Sequence, residues 1–396
     1  MSSARSLPRT AIVLPNYNGK RHLDPCIHSL QEMAIPEDRL EILVVDNGSV
    51  DGSVEHLRRR HPRVRVHENG ANLGFSAACN QGARLAGDVD VLVFLNNDMR
   101  VAPGFLAELL RPIQEKRAHC TAAKILSWDG HRLNYAGSGM NFHGIGYQKG
   151  YNEAPAPEHD VEGPTLFACG GAMAIERTVF DNVLGFDEDY FAYYEDADLG
   201  WRLWVLGYDV LYAPRSVVYH HHSVTSRSFP NELIRLLQIR NPLLTILKNY
   251  ERAHLDGILS AAVLLAVRRA LIVGGIDVDR FRIEKSRSRP IGGLREVLVK
   301  AQRRLGRKLS VSKLALADLV ALGDLGDLLP RFVEKRAWIQ ERRKRADAEI
   351  LPMFEEPFWC VEPRESYKVL LQTVREFFEL DKVFRDVERS RRGRAR

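Results

Sequence analysis

Three acids fall within four residues at Glu195, Asp196 and Asp198, directly after Tyr193 and Tyr194. Acids at a helix start are favoured by the exposed N–H groups there, which accounts for one or two of them. Three together, preceded by aromatics, read as a base facing a substrate, its pKa raised by like-charged neighbours. Another acid, Asp98, closes the triplet Asn96-Asn97-Asp98 immediately after the apolar run 91–95. A carboxylate at a strand end suits a hard cation shared with phosphate oxygens. Magnesium or manganese held there would neutralise the charge gathering on a diphosphate leaving group; the competing reading is a plain strand-end turn. In the run His220-His221-His222, one histidine ending a strand is placed to complete such a site, although histidine runs are often only surface features.

Two further segments have the polarity of a ligand site. Residues 44–53 read VVDNGSVDGS, so an apolar strand delivers Asp46 into a tight polar turn. A carboxylate there can accept the imide N–H of uracil or thymine; an Asx turn with a helix cap is the alternative. Residues 68–82 read ENGANLGFSAACNQG. Asn72 and Gly74 stand where backbone must approach something closely, the small residues that follow let a helix pack tightly beneath, and Asn80 can reach back from that helix.

The elements that must position these groups alternate. Apolar strands at 11–14, 41–46, 64–67 and 91–95 are separated by helical stretches at 23–33, 54–60 and 75–85. Continuous apolar strands divided by helices predict a parallel sheet covered on both faces. Ligands bind such sheets beyond the carboxyl ends of the strands, where Asn16, Tyr17, Asp46 and residues 96–98 lie. Residues 128–164 are rich in Gly, His and Pro and read as a long active-site loop or irregular hairpin. A helix over 194–206 and closing strands at 208–212 and 216–220 follow. Past residue 230 the character changes to helices rich in Leu and Arg, which divides the chain into a catalytic domain over 1–250 and a C-terminal helical region over 251–396.

Composition narrows the class. The 396 residues are 45% hydrophobic and 27% charged, as in ordinary globular proteins. Five cysteines, odd in number and widely spaced, argue against a disulfide framework or zinc site and for a reducing cytoplasm. The polar residues 1–10 lack the apolar stretch of a signal peptide. The longest apolar run, 257–267, falls short of the roughly 20 residues needed to span a bilayer. A net charge of +6 fits an anionic ligand or membrane surface. The Arg-rich runs at 334–345 and 389–396 mix with acids and lack interleaved aromatics, so nucleic acid is not expected as a partner. A nucleotidyl-transferring or merely nucleotide-binding α/β protein is the other class to weigh. The segment PNYNGKRH offers Lys20 and Arg21 but not the glycine run that nucleotidyl transfer would lead one to expect.

In this order the segments LPNYNG, VVDNGSVDGS, NLGFSAACNQG, NND, CGGAMAIER, YEDADLGWRL, a strand-end histidine and LQIRNPLLTILKN resemble the family 2 glycosyltransferases of the GT-A fold, especially rhamnosyltransferase-like members that build cell-surface polysaccharides. The match covers roughly residues 9–250. The resemblance implies an α/β fold with a mostly parallel sheet and an inverting transfer from a nucleotide-diphosphate sugar, dTDP-rhamnose or else a UDP-sugar, to a saccharide or lipid-linked acceptor. It implies that Pro15, Tyr17, Asp46 and Asn72 line the base and ribose, that Gly74, Asn80, Asn96 and Asn97 belong to the nucleotide-sugar site, and that Asp98, with His220, binds Mg2+ or Mn2+. Asp196 matches the catalytic base, with Glu195 its rival. Gly170 and Gly171 match the loop between donor sugar and acceptor, and Trp201 and Arg202 the acceptor and diphosphate sides. The chain departs from the pattern at Asn96, where an acid is usual, and at Ser223, where a glycine is. The C-terminal helices carry no assigned motif. They are expected to pack on the catalytic domain, to form a homodimer or to lie on the inner face of the membrane, with 257–272 as the membrane-surface candidate.

Overall fold

In a computed structural model, residues 7–33, 35–36, 38–221, 229–276 and 312–385 are described. His222, Ser223, the part of the C-terminal region at 277–311 and the basic run 389–396 lie outside them.

The four apolar runs form adjacent parallel strands: β1 (Thr10–Asn16), β2 (Leu40–Asp46), β3 (Arg65–Glu68) and β4 (Val91–Leu95), in spatial order β3-β2-β1-β4. Residues 11–14 and 91–95 are fully or almost fully buried, which is why these strands read as unbroken apolar runs rather than alternating ones. Helices α1 (Lys20–Gln31), α2 (Ser53–Arg60) and α3 (Phe75–Leu85) make the crossovers. All four strands point their carboxyl ends at one edge of the sheet.

Beyond β4 the sheet changes hand. Short β5 (Met99–Val101), helix α4 (Phe105–Gln114) and β6 (Cys120–Ser127) follow. The segment expected to be a loop or irregular hairpin contains β7 (Leu133–Tyr135), β8 (Ser138–Met140), β9 (Gly146–Gln148) and the two-residue β10 (Gly163–Pro164). Strand β11 (Ala172–Glu176) runs antiparallel between β4 and β6. After α5 (Arg177–Asn182) comes α6 (Glu195–Val205), which carries the acid cluster. The two closing strands expected near the end of the domain are one strand, β12 (Val210–His220), interrupted by a bulge between Ala213 and Val217. Pro214, which has no N–H to give the ladder, lies inside that bulge.

Helices α7 (Asn231–Asn249), α8 (Arg252–Val273) and α9 (Lys313–Glu341) then pack against one another, and α7 packs against α6. They share the core of the sheet region: Trp201 of α6 meets Tyr250 and Phe354 edge-on, at ring distances of 4.7 and 5.1 Å. Much of the basic run 334–345 is spent inside the molecule. Arg336 donates to the carbonyls of Leu247 and Tyr250, Arg343 donates to Asn249 and pairs with Asp347, and Arg345 pairs with Asp209 at 2.7 Å. The membrane-surface candidate 257–272 lies on α8, a packing helix on the face of Leu255, Ile258, Ala262 and Leu265 that leaves Leu264 and Val267 exposed.

Candidate active site

The carboxyl ends of β1, β2 and β4 open into a cavity of about 670 Å³. One wall is made of Pro15, Asn16, Tyr17, Asn47, Asn72, Gly74, Asn96 and Asn97; the opposite wall comes from Gly171, from residues 191–197 and from Ile234 and Gln238 of α7. Gly74 has φ +89°, and a Cβ there would meet the carbonyl oxygen of Phe191 at 2.5 Å, so only glycine lets the start of α3 dock onto that loop. The docking bond is Phe75 N–H to Phe191 C=O, 2.7 Å.

Asparagine amides tie the strand ends together. Asn97 Nδ2 donates to Asn16 Oδ1 (2.5 Å), Asn16 Nδ2 donates to Asp46 Oδ2 (2.7 Å), and Asn47 Nδ2 donates to the Gly74 carbonyl (3.0 Å). Asp46 itself is buried behind the wall. Its other oxygen accepts the N–H groups of Gly48 and Ser49 at 3.1 and 2.8 Å. The expected base reader therefore also holds Asn16 and its own turn, with one acceptor position of Oδ2 left over.

The acid pair faces the cavity from the start of α6. Asp196 Oδ2 accepts the Gly170 N–H (3.0 Å) and Oδ1 accepts the Ala197 N–H (2.8 Å), so the carboxylate is held in one orientation. Gly170 thus acts through Asp196, whereas Gly171 lines the cavity. Burial pushes the Asp196 carboxyl above its ordinary value against the pull of those two N–H groups. Burial, and then the Asp196 charge, push Glu195 much further up, and its Oε2 is enclosed with no hydrogen-bond partner. Of the two, Glu195 is pushed further toward its neutral form.

Asp98 and His220 come together although 122 residues separate them, because β12 pairs with β5 just after Asp98. His220 Nε2 lies 3.3 Å from Asp98 Oδ1. That is near the ~3 Å between adjacent donors of an octahedral ion with bonds of about 2.1 Å, so the pair fits a hard divalent cation with its remaining positions left to phosphate or water. Burial alone would raise the Asp98 carboxyl, but the hydrogen bond and charge of His220, with His22 nearby, outweigh it and hold Asp98 below the ordinary carboxylate range. His221 stacks on Trp128 with ring centres 3.7 Å apart, which braces the strand end.

A family model described as glycosyl transferase family 2 matches residues 11–184. Over 232 residues, 53% of this chain and 75% of the relative, the chain is 31% identical to an N-acetylglucosaminyl-diphospho-decaprenol L-rhamnosyltransferase of Mycobacterium tuberculosis. The chain is a family 2 glycosyltransferase. A low-salt glycan biosynthesis hexosyltransferase, Agl10, of Haloferax volcanii is 26% identical over 199 residues, 48% of this chain and 60% of the relative. Among solved structures the glycosyltransferase resembles GalNAc-T7, crystallised with UDP, GalNAc and Mn2+, at TM-score 0.52 and 19% identity, over 70% of this chain and 53% of that one. That likeness is one of fold, the GT-A fold with its mostly parallel sheet.

Three positions expected in the transferase's site lie elsewhere. Trp201 is fully buried in the core against Tyr250 and Phe354, not on an acceptor face. Arg202 is turned away from the cavity; it pairs with Asp198 at 3.0 Å and donates to the carbonyls of Val183 and Gly185. Asn80 points the same way, donating to the Phe186 carbonyl at 2.8 Å. Asn80 and Arg202 line a second cavity, between residues 180–188 and α9.

The structure also adds residues. Phe191, Tyr193 and Tyr194 all have φ between 64° and 68°, a left-handed conformation costly for aromatic residues. The buried Asn241 Nδ2 of α7 lies 3.1, 3.1 and 2.8 Å from the carbonyl oxygens of Tyr190, Ala192 and Tyr193, its two N–H groups shared among them, and so clasps this loop. Lys248 and Asn249 of the same helix bind Asp187 and Asp198. The segment LQIRNPLLTILKN therefore supports the acid-bearing helix. Asn47 and Asn241 were both visible as motif letters, but no spacing rule assigns them these partners.

Proposed function

We propose that this glycosyltransferase is an inverting enzyme that transfers rhamnose from dTDP-rhamnose to a saccharide or polyprenyl-linked acceptor in surface polysaccharide synthesis. The observation that carries the reading is one cavity with the strand-end asparagines on one wall and the oriented carboxylate of Asp196 on the other; the Asp98–His220 pair lies outside its lining, Asp98 directly after Asn96 and Asn97 of the wall. The donor and acceptor classes are supported by the decaprenol-linked rhamnosyl transfer named for the mycobacterial relative. Asp196 takes the proton of the acceptor hydroxyl as its oxygen attacks the anomeric carbon. Protonated Glu195 keeps a second negative charge away from the attacking oxygen. Pro15, Tyr17 and Asn72 line the nucleoside side, and Asn16 and Asn47 hold the turns behind them. Asp98 and His220 would hold a divalent cation, which would supply neutralisation of charge on the diphosphate.

A panel of dTDP-, UDP- and GDP-sugars, read by mass detection of the released nucleotide with and without Mg2+ or Mn2+, tests the donor. The expected result is turnover of dTDP-rhamnose above the others; preferential use of a UDP-sugar replaces the rhamnose assignment, and turnover of none of them in the presence of a saccharide acceptor rejects it.

In this proposal residues 1–250 are the catalytic domain, and the helical region places it on the inner face of the membrane. No helix among the described residues is long and apolar enough to cross a membrane. Leu314, Leu316, Leu319 and Val320 are exposed on the first turns of α9, beside Lys313, as a surface-lying helix requires. Salt-sensitive co-sedimentation with anionic vesicles is expected. A soluble dimer that ignores vesicles would reassign these side chains to self-association.

A further inference from the structure

A second cluster of metal-ligating side chains lies on the outer face of the sheet half, between α1 and α2. Asp24 of α1 is met by two imidazoles: His56 Nε2 is 2.7 Å and His61 Nε2 2.6 Å from the same carboxylate oxygen, Oδ1. All three ligand atoms lie within 4.8 Å of one another. Both rings aim the same nitrogen at one point although they come from the middle and the C-cap of α2. The cluster is partly enclosed, with side-chain exposures of 38%, 14% and 2% for Asp24, His56 and His61. His28, one helical turn after Asp24, lies beside His61 at a ring distance of 5.2 Å.

We propose that Asp24, His56 and His61 bind a borderline transition-metal ion of the zinc class, with His28 or water as fourth ligand. Two imidazoles and one carboxylate are a ligand set that suits zinc, whereas a site with a single imidazole leaves most positions to oxygen. Tetrahedral bonds of about 2.0–2.1 Å put neighbouring donors ~3.3 Å apart. The present spacing needs to widen by only about 0.6 Å as the ion replaces the shared hydrogens. The other three-ligand group, Glu251, His254 and Asp347, is less suited, because Asp347 already holds the Arg343 guanidinium at 3.2 Å. Asp24 is held by imidazoles. The three arginines of the last turn of α2 add positive charge, but Arg58 is paired with Glu68.

Position gives the ion its role. Helices α1 and α2 start within a few residues of the carboxyl ends of β1 and β2. Asp24 is two residues from His22, and on a helix that spacing puts the pair on opposite faces. His22 faces the Asp98 side, while Asp24 faces α2. An ion bound to Asp24 therefore pins together the two helices that carry the nucleotide-side turns, without entering the cavity.

The test is calorimetric titration of Zn2+ alone into the full chain after chelator dialysis, repeated in Asp98→Asn, His61→Ala, His56→Gln and Asp24→Asn, with Co2+ absorbance reporting the geometry. Zn2+ binding that survives Asp98→Asn and weakens more than ten-fold in the three cluster variants is expected, since outer-shell changes alone typically cost about 10–100-fold. Tetrahedral Co2+ bands and a Zn2+-dependent rise in Tm should be lost with it. Should His61→Ala fail to fold by circular dichroism, His56→Gln and Asp24→Asn carry the test. Equal Zn2+ affinity in the wild type and these variants, or no Zn2+ binding once Asp98 is replaced, overturns the proposal and leaves Asp24 as a hydrogen-bonding hub.

Discussion

At the residue scale the division of labour between two adjacent acids is the sharpest feature. Asp196 is oriented by two backbone N–H groups, whereas Glu195 has an enclosed oxygen with no partner. Because a base works only when ionised, kcat/KM should fall as pH drops through the raised Asp196 pKa, with an acid limb above the ordinary carboxylate range of about 4. Asp196→Asn should lower kcat by about 10²–10⁴-fold while donor binding persists. Glu195→Gln should cost less and leave the acid limb in place, since burial and the Asp196 charge push Glu195 toward its neutral form. If the limb disappears in Glu195→Gln and survives in Asp196→Asn, the assignment is reversed. The cation site makes a separate prediction. Asp98→Ala or chelator should abolish transfer and weaken nucleoside diphosphate binding far more than nucleoside binding; full activity in chelator rejects it.

At the element scale β1 and β4 were legible because burial on both faces leaves continuous apolar runs, and 75–85 and 91–95 were placed to the residue. Turn positions at strand ends were legible for the same reason. The far side of α6 was not. A helix buried all round shows no stripe, and Trp201, Arg202 and Asp198 are enclosed because α7 and the C-terminal helices cover them. Asp46 was read correctly as a strand-end acid, but sequence cannot tell a carboxylate facing a ligand from one consumed by its own turn. The clasp by Asn241 was equally hidden, since its partners lie 48 to 51 residues away. Asn241→Ala should leave buried carbonyls unpaired at a cost of about 1–3 kcal/mol each. The loop 190–194 should then relax from its left-handed backbone, so kcat should drop more than donor affinity. Unchanged kcat in a folded Asn241→Ala protein would show that the loop conformation does not depend on the clasp.

At the scale of the whole molecule, the sheet region and the C-terminal helices share one core and a buried seam of charge. Lys248 and Lys335 both pair with Asp187, which is held well below the ordinary carboxylate range even though burial alone would raise it. At another point of the seam His254 of α8 bonds Asp347 at 2.8 Å. That hydrogen bond raises the His254 pKa against burial and the Arg343 charge, with the Asp347 and Glu251 charges adding to the rise. A raised folded-state pKa makes the contribution fully present below the unfolded value of about 6.5 and lost as pH rises through the folded value. Urea unfolding of the wild type and His254→Gln should therefore differ most near pH 6 and converge as pH increases; a difference that grows with pH would refute the linkage.

Helix α6 has a consequence for recombination. The family match stops at residue 184, yet the helix that carries the acids begins at Glu195 and is gripped by Lys248, Asn249 and Phe354. A chimera joined near 184, with everything downstream taken from a relative, would inherit a foreign base and a foreign set of supports for it. Joined instead between β12 and α7, it would keep its own acids but rest them on a stranger's asparagine and lysines. In this architecture the acid-bearing helix cannot be separated from the helices that follow it.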